Sequence, residues 1–235
     1  MDELLYKKSV VREYFESLVI AAIFALFIRT FVIQFSQIPT GSMEDNLLVG
    51  DHIIYNRSIY APKAFPFENY IIPTSEIRRD DVIVFKFPED LSKDFIKRVI
   101  AIPGDTIEIR DKVVYLNGKK VEETFVYHKD SKIYRKNFNY PPSLIQRDNM
   151  PLFTVPEDSY FVMGDNRDNS HDSRYWGVVS RKYIKGRALL IYWSFETRSG
   201  SHIYRGLLPK LKQLGETVWY FFVRTRWERT FKLIH

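Results

Sequence analysis

The chain has 235 residues, of which 45% are hydrophobic and 27% are charged, a composition that excludes general disorder and fits one good-sized domain or two small ones. It contains no cysteine, which excludes disulfide bonds, a thiol nucleophile and cysteine-based zinc sites. The net charge of +6 and the pI near 9.3 leave two kinds of partner open, nucleic acid and anionic lipid.

The first predicted element is a single membrane-spanning helix over residues 17–35. Residues 18–28 form an unbroken apolar run, and at ~1.5 Å per residue the whole segment is just long enough to span a bilayer core. Arg29 lies past the middle, where its side chain can reach the outer headgroups. Two alternatives are a buried core helix and a cleavable signal peptide, but the second lacks a small-residue cleavage site after the apolar run.

The distribution of basic residues predicts the orientation of this helix. Lys7, Lys8 and Arg12 precede it, whereas residues 30–56 contain neither Lys nor Arg. By the positive-inside rule, residues 1–16 stay in the cytoplasm and residues 36–235 lie outside the cytoplasmic (inner) membrane, which the chain crosses once.

The body after residue 36 is predicted to be mainly β, because short apolar segments are bounded by turn residues. We expect a coiled antiparallel sheet or partial barrel. A polar stretch over 122–157, broken by two prolines, is interpreted as an inserted subdomain, and 207–235 as an aromatic and basic C-terminal segment. The predicted strands are 52–56, 81–87, 95–102, 106–110, 112–116, 160–163 and 187–193.

The stretch 37–43 directly follows the predicted membrane segment and contains a candidate nucleophile. Pro39 favours extended backbone before it, and Gly41 permits a sharp turn that would expose the hydroxyl of Ser42. A nucleophilic serine needs that exposure, a nearby base and donors for the oxyanion. Taken alone, the same residues fit a simple linker after an anchor.

The stretch 94–105 contains a lysine inside a strongly apolar predicted strand. Burial disfavours the charged amine, so a buried Lys97 would be a competent general base near neutral pH. The alternative is a solvent-exposed lysine on the polar face of the strand, and the alternation of side chains does not decide between the two.

The stretch 164–177 is too rich in polar and turn-forming residues to be a strand. It does not fit a calcium-binding loop, because the sixth position is not glycine and the twelfth is not a carboxylate. His171 suggests a Ser-His-Asp triad, but it is one of five histidines with no distinguishing spacing. We interpret it as a loop residue whose hydrogen bonds are satisfied and which has no catalytic role.

Taken together and in this order behind an N-terminal anchor, the three stretches resemble those of bacterial type I signal peptidases, the Ser/Lys-dyad peptidases of family S26. Gly50-Asp51 and residues 81–85 extend the resemblance between the motifs. The self-cleaving SOS-response repressors share the Ser/Lys fold, but they begin with a DNA-binding domain that this chain lacks. The sequence departs from the family pattern at Asp80, where the family commonly has glycine in an Arg-Gly-Asp turn.

The resemblance implies roles for the residues of the first two stretches. Ser42 matches the nucleophile and Lys97 its general base. The backbone N–H of Ser42 matches one oxyanion donor, and the hydroxyl of Thr40 matches the other.

The resemblance also implies supporting roles in and near the third stretch. Ser170 matches a hydroxyl that orients the lysine amine, and Asp172 matches a carboxylate that orders the loop through Arg174. Asp165 and Arg98 match positions that pair structurally.

The implied substrates are exported preproteins, bound at the cleavage region of their signal peptides as an extended strand beside 37–41 and 94–96. No cofactor and no metal are expected. The expected partners are these preproteins and the lipid bilayer, without nucleic acid, and the chain is expected to be a monomer. The candidate substrate-binding residues are Ile38, Pro39, Met43, Leu47, Phe95 and Ile96.

The main alternative from another class is a catalytically silent, membrane-tethered β module that binds exported proteins. A nucleic-acid-binding protein is suggested only by the basic pI, and the predicted exported topology argues against it. For the segment 207–235, contact with the membrane surface and packing on the β body remain equally open.

Overall fold

The computed structural model describes residues 9–60, 75–135, 140–196 and 215–234. The helices are α1 (Val10–Phe27), α2 (Pro142–Asp148), α3 (Ser173–Trp176) and α4 (Phe221–Arg224). The strands are β1 (Ile33–Gln37), β2 (Asp51–Asn56), β3 (Val82–Phe87), β4 (Asp90–Ala101), β5 (Thr106–Arg110), β6 (Val113–Leu116), β7 (Lys119–Lys120), β8 (Met150–Thr154), β9 (Ser159–Met163), β10 (Val179–Ser180), β11 (Ile184–Ser194) and β12 (Lys232–Leu233).

The N-terminal apolar helix has no buried residue and stands clear of the body. After Phe27 it continues as a π-helical turn, Ile28–Val32, so that 10–32 forms one helix long and apolar enough to cross a membrane. It begins and ends earlier than the predicted 17–35. Ile33 and Phe35 belong to β1 instead, because their backbone pairs with β2 opposite Asn56 and Ile54.

The body is a mainly β fold, which confirms the predicted fold class. The larger sheet has eight strands in the order β1-β2-β11-β3-β4-β9-β10, with β12 paired to β11, and all of its pairings are antiparallel. Within the described residues it does not close into a barrel. The predicted strands are all present. β1 was missed because its apolar residues continue those of the membrane segment, and β8, β10 and β12 were not predicted either.

A second, four-stranded sheet is inserted between β4 and β9, in the order β7-β6-β5-β8. It begins before the predicted insertion at 122, because β5 and β6 belong to it rather than to the main sheet. The reason is that β5 pairs with β8, a strand that lies far from β5 in the sequence. Ile107 and Val114 of this sheet pack with Phe161 of β9 in one hydrophobic cluster.

The C-terminal segment packs on the body in one part and is exposed in another. Ile234 joins the core beside β2, and Arg229 pairs with the fully buried Asp51 at 2.6 Å. In contrast, the side chains of Trp219, Phe222 and Val223 are about four-fifths exposed, at 82%, 79% and 83%. Residues 207–214 and 235 of the predicted segment lie outside the described part of the chain.

Asp80 adopts the left-handed conformation, with φ of 70°. Its N–H donates to the carbonyl of Val99 at 2.8 Å, which holds the turn before β3 against β4. Glycine adopts this conformation without strain, and aspartate is among the few other residues that tolerate it. The departure from the family pattern at Asp80 therefore leaves the turn intact.

Candidate active site

Ser42 lies on a 3₁₀ turn, Gly41–Met43, that follows β1. The chain between them is held to the sheet because Ile38 donates its N–H to Asp51 at 2.8 Å. Behind the turn, Met43 and Leu47 are fully buried in the core and fix its position. The side chain of Ser42 is thereby presented at the floor of a cleft.

Lys97 reaches Ser42 from β4, where it lies opposite Ile83 of β3. Its Nζ is 2.6 Å from the Ser42 Oγ and 3.0 Å from the carbonyl oxygen of Ile96. The residue is only 3% exposed. Burial lowers the pKa of Lys97 to about 8, although the carboxylates of Asp172 and Asp165 partly oppose this shift.

The polar stretch 164–177 packs against the serine turn from the other side. The N–H of Asn166 donates to the Ser42 carbonyl at 3.2 Å, and its Nδ2 donates to the Gly41 carbonyl at 3.0 Å. Asn166 thus clamps the backbone of the turn, a role that the sequence did not reveal.

Gly164 allows this close packing. A Cβ at Gly164 would lie 2.3 Å from both the Ser42 carbonyl oxygen and the Ser170 Oγ, far inside van der Waals contact. Only glycine fits between these two residues. In the sequence, Gly164 is noticeable only as the first residue of the polar stretch. Its contact with Ser42 is visible only in the folded chain.

Two buried ion pairs support the site, in the pairings that the resemblance implies. Arg98 binds Asp165 through two hydrogen bonds of 2.9 and 2.8 Å, and Arg174 binds Asp172 through bonds of 2.8 and 2.9 Å. Burial opposes the ionisation of Asp172, but the charge of Arg174 and its hydrogen bonds hold the pKa of this carboxyl below its usual value.

Ser170 is buried beside these groups. Its hydroxyl favours the ionised form of Asp172, yet makes no well-aligned hydrogen bond with any residue in the described part of the chain. Orientation of the Lys97 amine by Ser170 therefore stays a prediction. Thr40 is exposed at the cleft, two residues before Ser42, and its oxyanion role stays a prediction.

The cleft encloses about 730 Å³ and contains most of the predicted substrate-binding residues, namely Ile38, Pro39, Phe95 and Ile96. Met43 and Leu47 require a correction, because the structure places them in the core behind Ser42 and not on the cleft wall. The sequence did not single out the remaining lining residues, which are Ser36, Ile53, Val84, Ser143, Asp168, Asn169 and Tyr175.

His171 also lines the cleft, but it is not the partner of Ser42. Its ring packs 5.5 Å from Tyr175 and 6.0 Å from Phe87, measured between ring centroids. A serine hydroxyl within hydrogen-bonding reach of an amine that is partly neutral near pH 7 is an arrangement suited to nucleophilic attack and acyl transfer.

The chain is similar to known signal peptidases. A family model described as signal peptidase, peptidase S26, matches residues 11–193. The signal peptidase I of Pseudomonas aeruginosa is 32% identical, over 91% of this chain and 81% of its own. The signal peptidase I of Aquifex aeolicus is 36% identical, over 72% and 79%. A crystal structure of a signal peptidase I from Enterococcus faecalis has a TM-score of 0.38 and 34% identity, covering 48% of this chain and 97% of that one.

Proposed function

Because this chain belongs to the signal peptidase family of S26 peptidases, we propose that it is a membrane-bound serine endopeptidase that removes signal peptides from exported preproteins. Ser42 is the nucleophile and Lys97 the general base. The observation that carries the proposal is the 2.6 Å separation between the Lys97 Nζ and the Ser42 Oγ, at a lysine that burial keeps largely out of water.

The proposed reaction begins with proton transfer from the Ser42 hydroxyl to the neutral amine of Lys97 as the oxygen attacks the scissile carbonyl carbon. The Thr40 hydroxyl and the Ser42 N–H stabilise the oxyanion. When the C–N bond breaks, the Lys97 ammonium returns the proton to the leaving amine and Ser42 holds an ester of the signal peptide. Lys97 then takes a proton from water as the water oxygen attacks the ester carbon. The bond between that carbon and the Ser42 oxygen breaks, the Lys97 ammonium returns the proton to Ser42, and the signal peptide leaves with a free carboxyl group.

The supporting residues keep this pair in place and control the charge around it. Arg98 and Arg174 neutralise Asp165 and Asp172, the two carboxylates whose charge would otherwise raise the pKa of Lys97 further. Ser170 is proposed to orient the amine through a hydrogen bond formed when substrate binds, because its hydroxyl is buried against Gly164 beside the serine turn.

The signal peptide is proposed to bind as an extended strand between 37–41 and 94–96. Ile38 and Ile96 pack with Ile53 and Val84 in this region, and the four side chains give a shallow apolar lining. Such a lining accepts small side chains before the scissile bond and excludes large ones by steric overlap.

The helix over 10–32 is proposed to anchor the enzyme in the cytoplasmic (inner) membrane, with the N-terminus in the cytoplasm and the body outside. The exposed rings of Trp219 and Phe222, next to Arg224, fit a second contact with the lipid surface. With the enzyme reconstituted in vesicles, bromine-labelled lipid should therefore quench the tryptophan fluorescence of the wild-type chain more than that of Trp219→Phe. Equal quenching of the two proteins would contradict this contact.

The function is tested by cleavage of a preprotein with the detergent-solubilised full chain. Ser42→Ala and Lys97→Ala should each abolish cleavage, whereas Lys86→Ala is the matched control, because Lys86 lies on the neighbouring strand and pairs at the surface with Asp94. Cleavage that survives Ser42→Ala would refute the assignment. A wild-type chain that binds preproteins without cutting them would instead indicate a silent binding module.

A further inference from the structure

The cleft has two chemically different ends. One end is bounded by β1 and by 94–96, and its floor is apolar, with Ile53 and Val84. The other end is formed by Asp168–His171 together with Ser143 and Tyr175, and it is polar and aromatic. Ser42 lies between them, because the turn that carries it continues from β1 on one side and contacts Gly164 and Asn166 on the other.

The position of the N-terminal helix gives the cleft a direction. Val32 ends the helix and Ile33 begins β1, so the apolar end lies next to the proposed membrane anchor. A signal peptide whose apolar core lies in the bilayer must enter at this end. With the scissile bond at Ser42, an extended chain that continues past the bond crosses the opposite end.

The opposite end is a fixed surface of the fold, because hydrogen bonds join the inserted subdomain to the polar stretch 164–177 there. Gln146 of α2 donates to the carbonyl of Arg174 at 2.5 Å, and Arg174 donates to the carbonyl of Arg147 at 2.8 Å. The Tyr175 hydroxyl lies 3.4 Å from the carbonyl of Ser143, and the His171 ring packs beside Tyr175. Ser143 and His171 are exposed to an arriving chain.

We propose that Ser143, His171 and Tyr175 form the binding surface for the first residues of the mature protein, which follow the scissile bond. The inference rests on the proposed function and assigns a role in substrate recognition to the inserted subdomain. The ligand is an extended polypeptide. The three side chains offer hydroxyls and rings, while Asp168, a carboxylate that lines this end of the cleft, is paired with Lys112 at 2.8 Å.

Because Ser143 is exposed on the first turn of α2, a charge can be placed there without disturbing the core. The test uses Ser143→Lys and Ser143→Glu with two peptide substrates that are identical up to the scissile bond. After it, one carries three acidic residues and the other three basic residues. The readout is the ratio of kcat/KM for the acidic peptide to that for the basic peptide.

We expect this ratio to rise with Ser143→Lys and to fall with Ser143→Glu, each by roughly five-fold at low ionic strength, and both effects to shrink in high salt. The matched controls are Leu152→Lys and Leu152→Glu, since Leu152 is exposed on β8 and outside the cleft. A ratio that stays at the wild-type value in both Ser143 variants, or that moves equally in the Leu152 variants, would overturn the proposal.

A second measurement varies the length of the leaving segment. Tyr175→Ala should lower kcat/KM more for a peptide with several residues after the scissile bond than for one with a simple amide there, by about five-fold, and Tyr175→Phe should retain most of the wild-type length dependence. Equal losses on both peptides would refute the contact. A wild-type enzyme that cleaves neither peptide would refute the proposed function itself, and with it this role.

Discussion

The pH dependence of cleavage follows from the burial of Lys97. With a pKa of about 8, the amine is neutral in about one-tenth of molecules at pH 7 and about nine-tenths at pH 9. An ordinary lysine, with a pKa near 10.4, would be neutral in only about one molecule in 2,500 at pH 7. Burial therefore raises the competent fraction at pH 7 by a factor of a few hundred.

The expected profile of kcat/KM rises by about 90-fold between pH 6 and pH 9 and is nearly level above pH 9, since this ratio reports the pKa of the free enzyme. The assay is a continuous peptide cleavage assay on the detergent-solubilised chain, with a substrate that does not titrate in this range. Lys86→Ala serves as the control and should give the wild-type profile, because Lys86 is at the surface and outside the cleft.

A rate that still rises about seven-fold between pH 9 and pH 10 would refute the reasoning, because that is the rise expected for an amine with an unperturbed pKa near 10.4. A rate independent of pH from 6 to 9 would also contradict Lys97 as the base. Circular dichroism at each pH separates these outcomes from unfolding.

The remaining predictions concern single substitutions at the site. Below pH 8 the folded chain bears the cost of a buried charge, so Lys97→Met should raise the free energy of unfolding by up to about 3 kcal/mol at pH 7, measured by denaturant unfolding. The gain should shrink as the pH rises above 8 and vanish only above about 10.4, the pKa of lysine in the unfolded chain. Gly164→Ala would push apart Ser42 and Ser170, and should lower kcat by about 100-fold or more; near wild-type turnover would show that the turn can shift freely. Thr40→Val should lower kcat by about two to three decades, because an oxyanion donor contributes ~3 kcal/mol, whereas Thr40→Ser should retain most activity.

The strands predicted from alternation and turn residues were found because their signals lie within a few neighbouring residues. At Asp80 the sequence lacks the glycine of the family pattern, yet the structure has φ of 70° there, a conformation that aspartate tolerates.

The sequence by itself determined the mainly β fold and the apolar N-terminal helix, because their patterns are local. The pairing of Ser42 with Lys97 was only implied, by the resemblance of the ordered motifs to a known family. The tertiary structure alone decided which side chains from distant parts of the sequence contact one another. It moved Met43 and Leu47 from the cleft to the core, and it brought Gly164 against Ser42. It also carried Ser143, from an inserted subdomain, to the far wall of the cleft. These contacts join residues distant in sequence, and no local pattern encodes them.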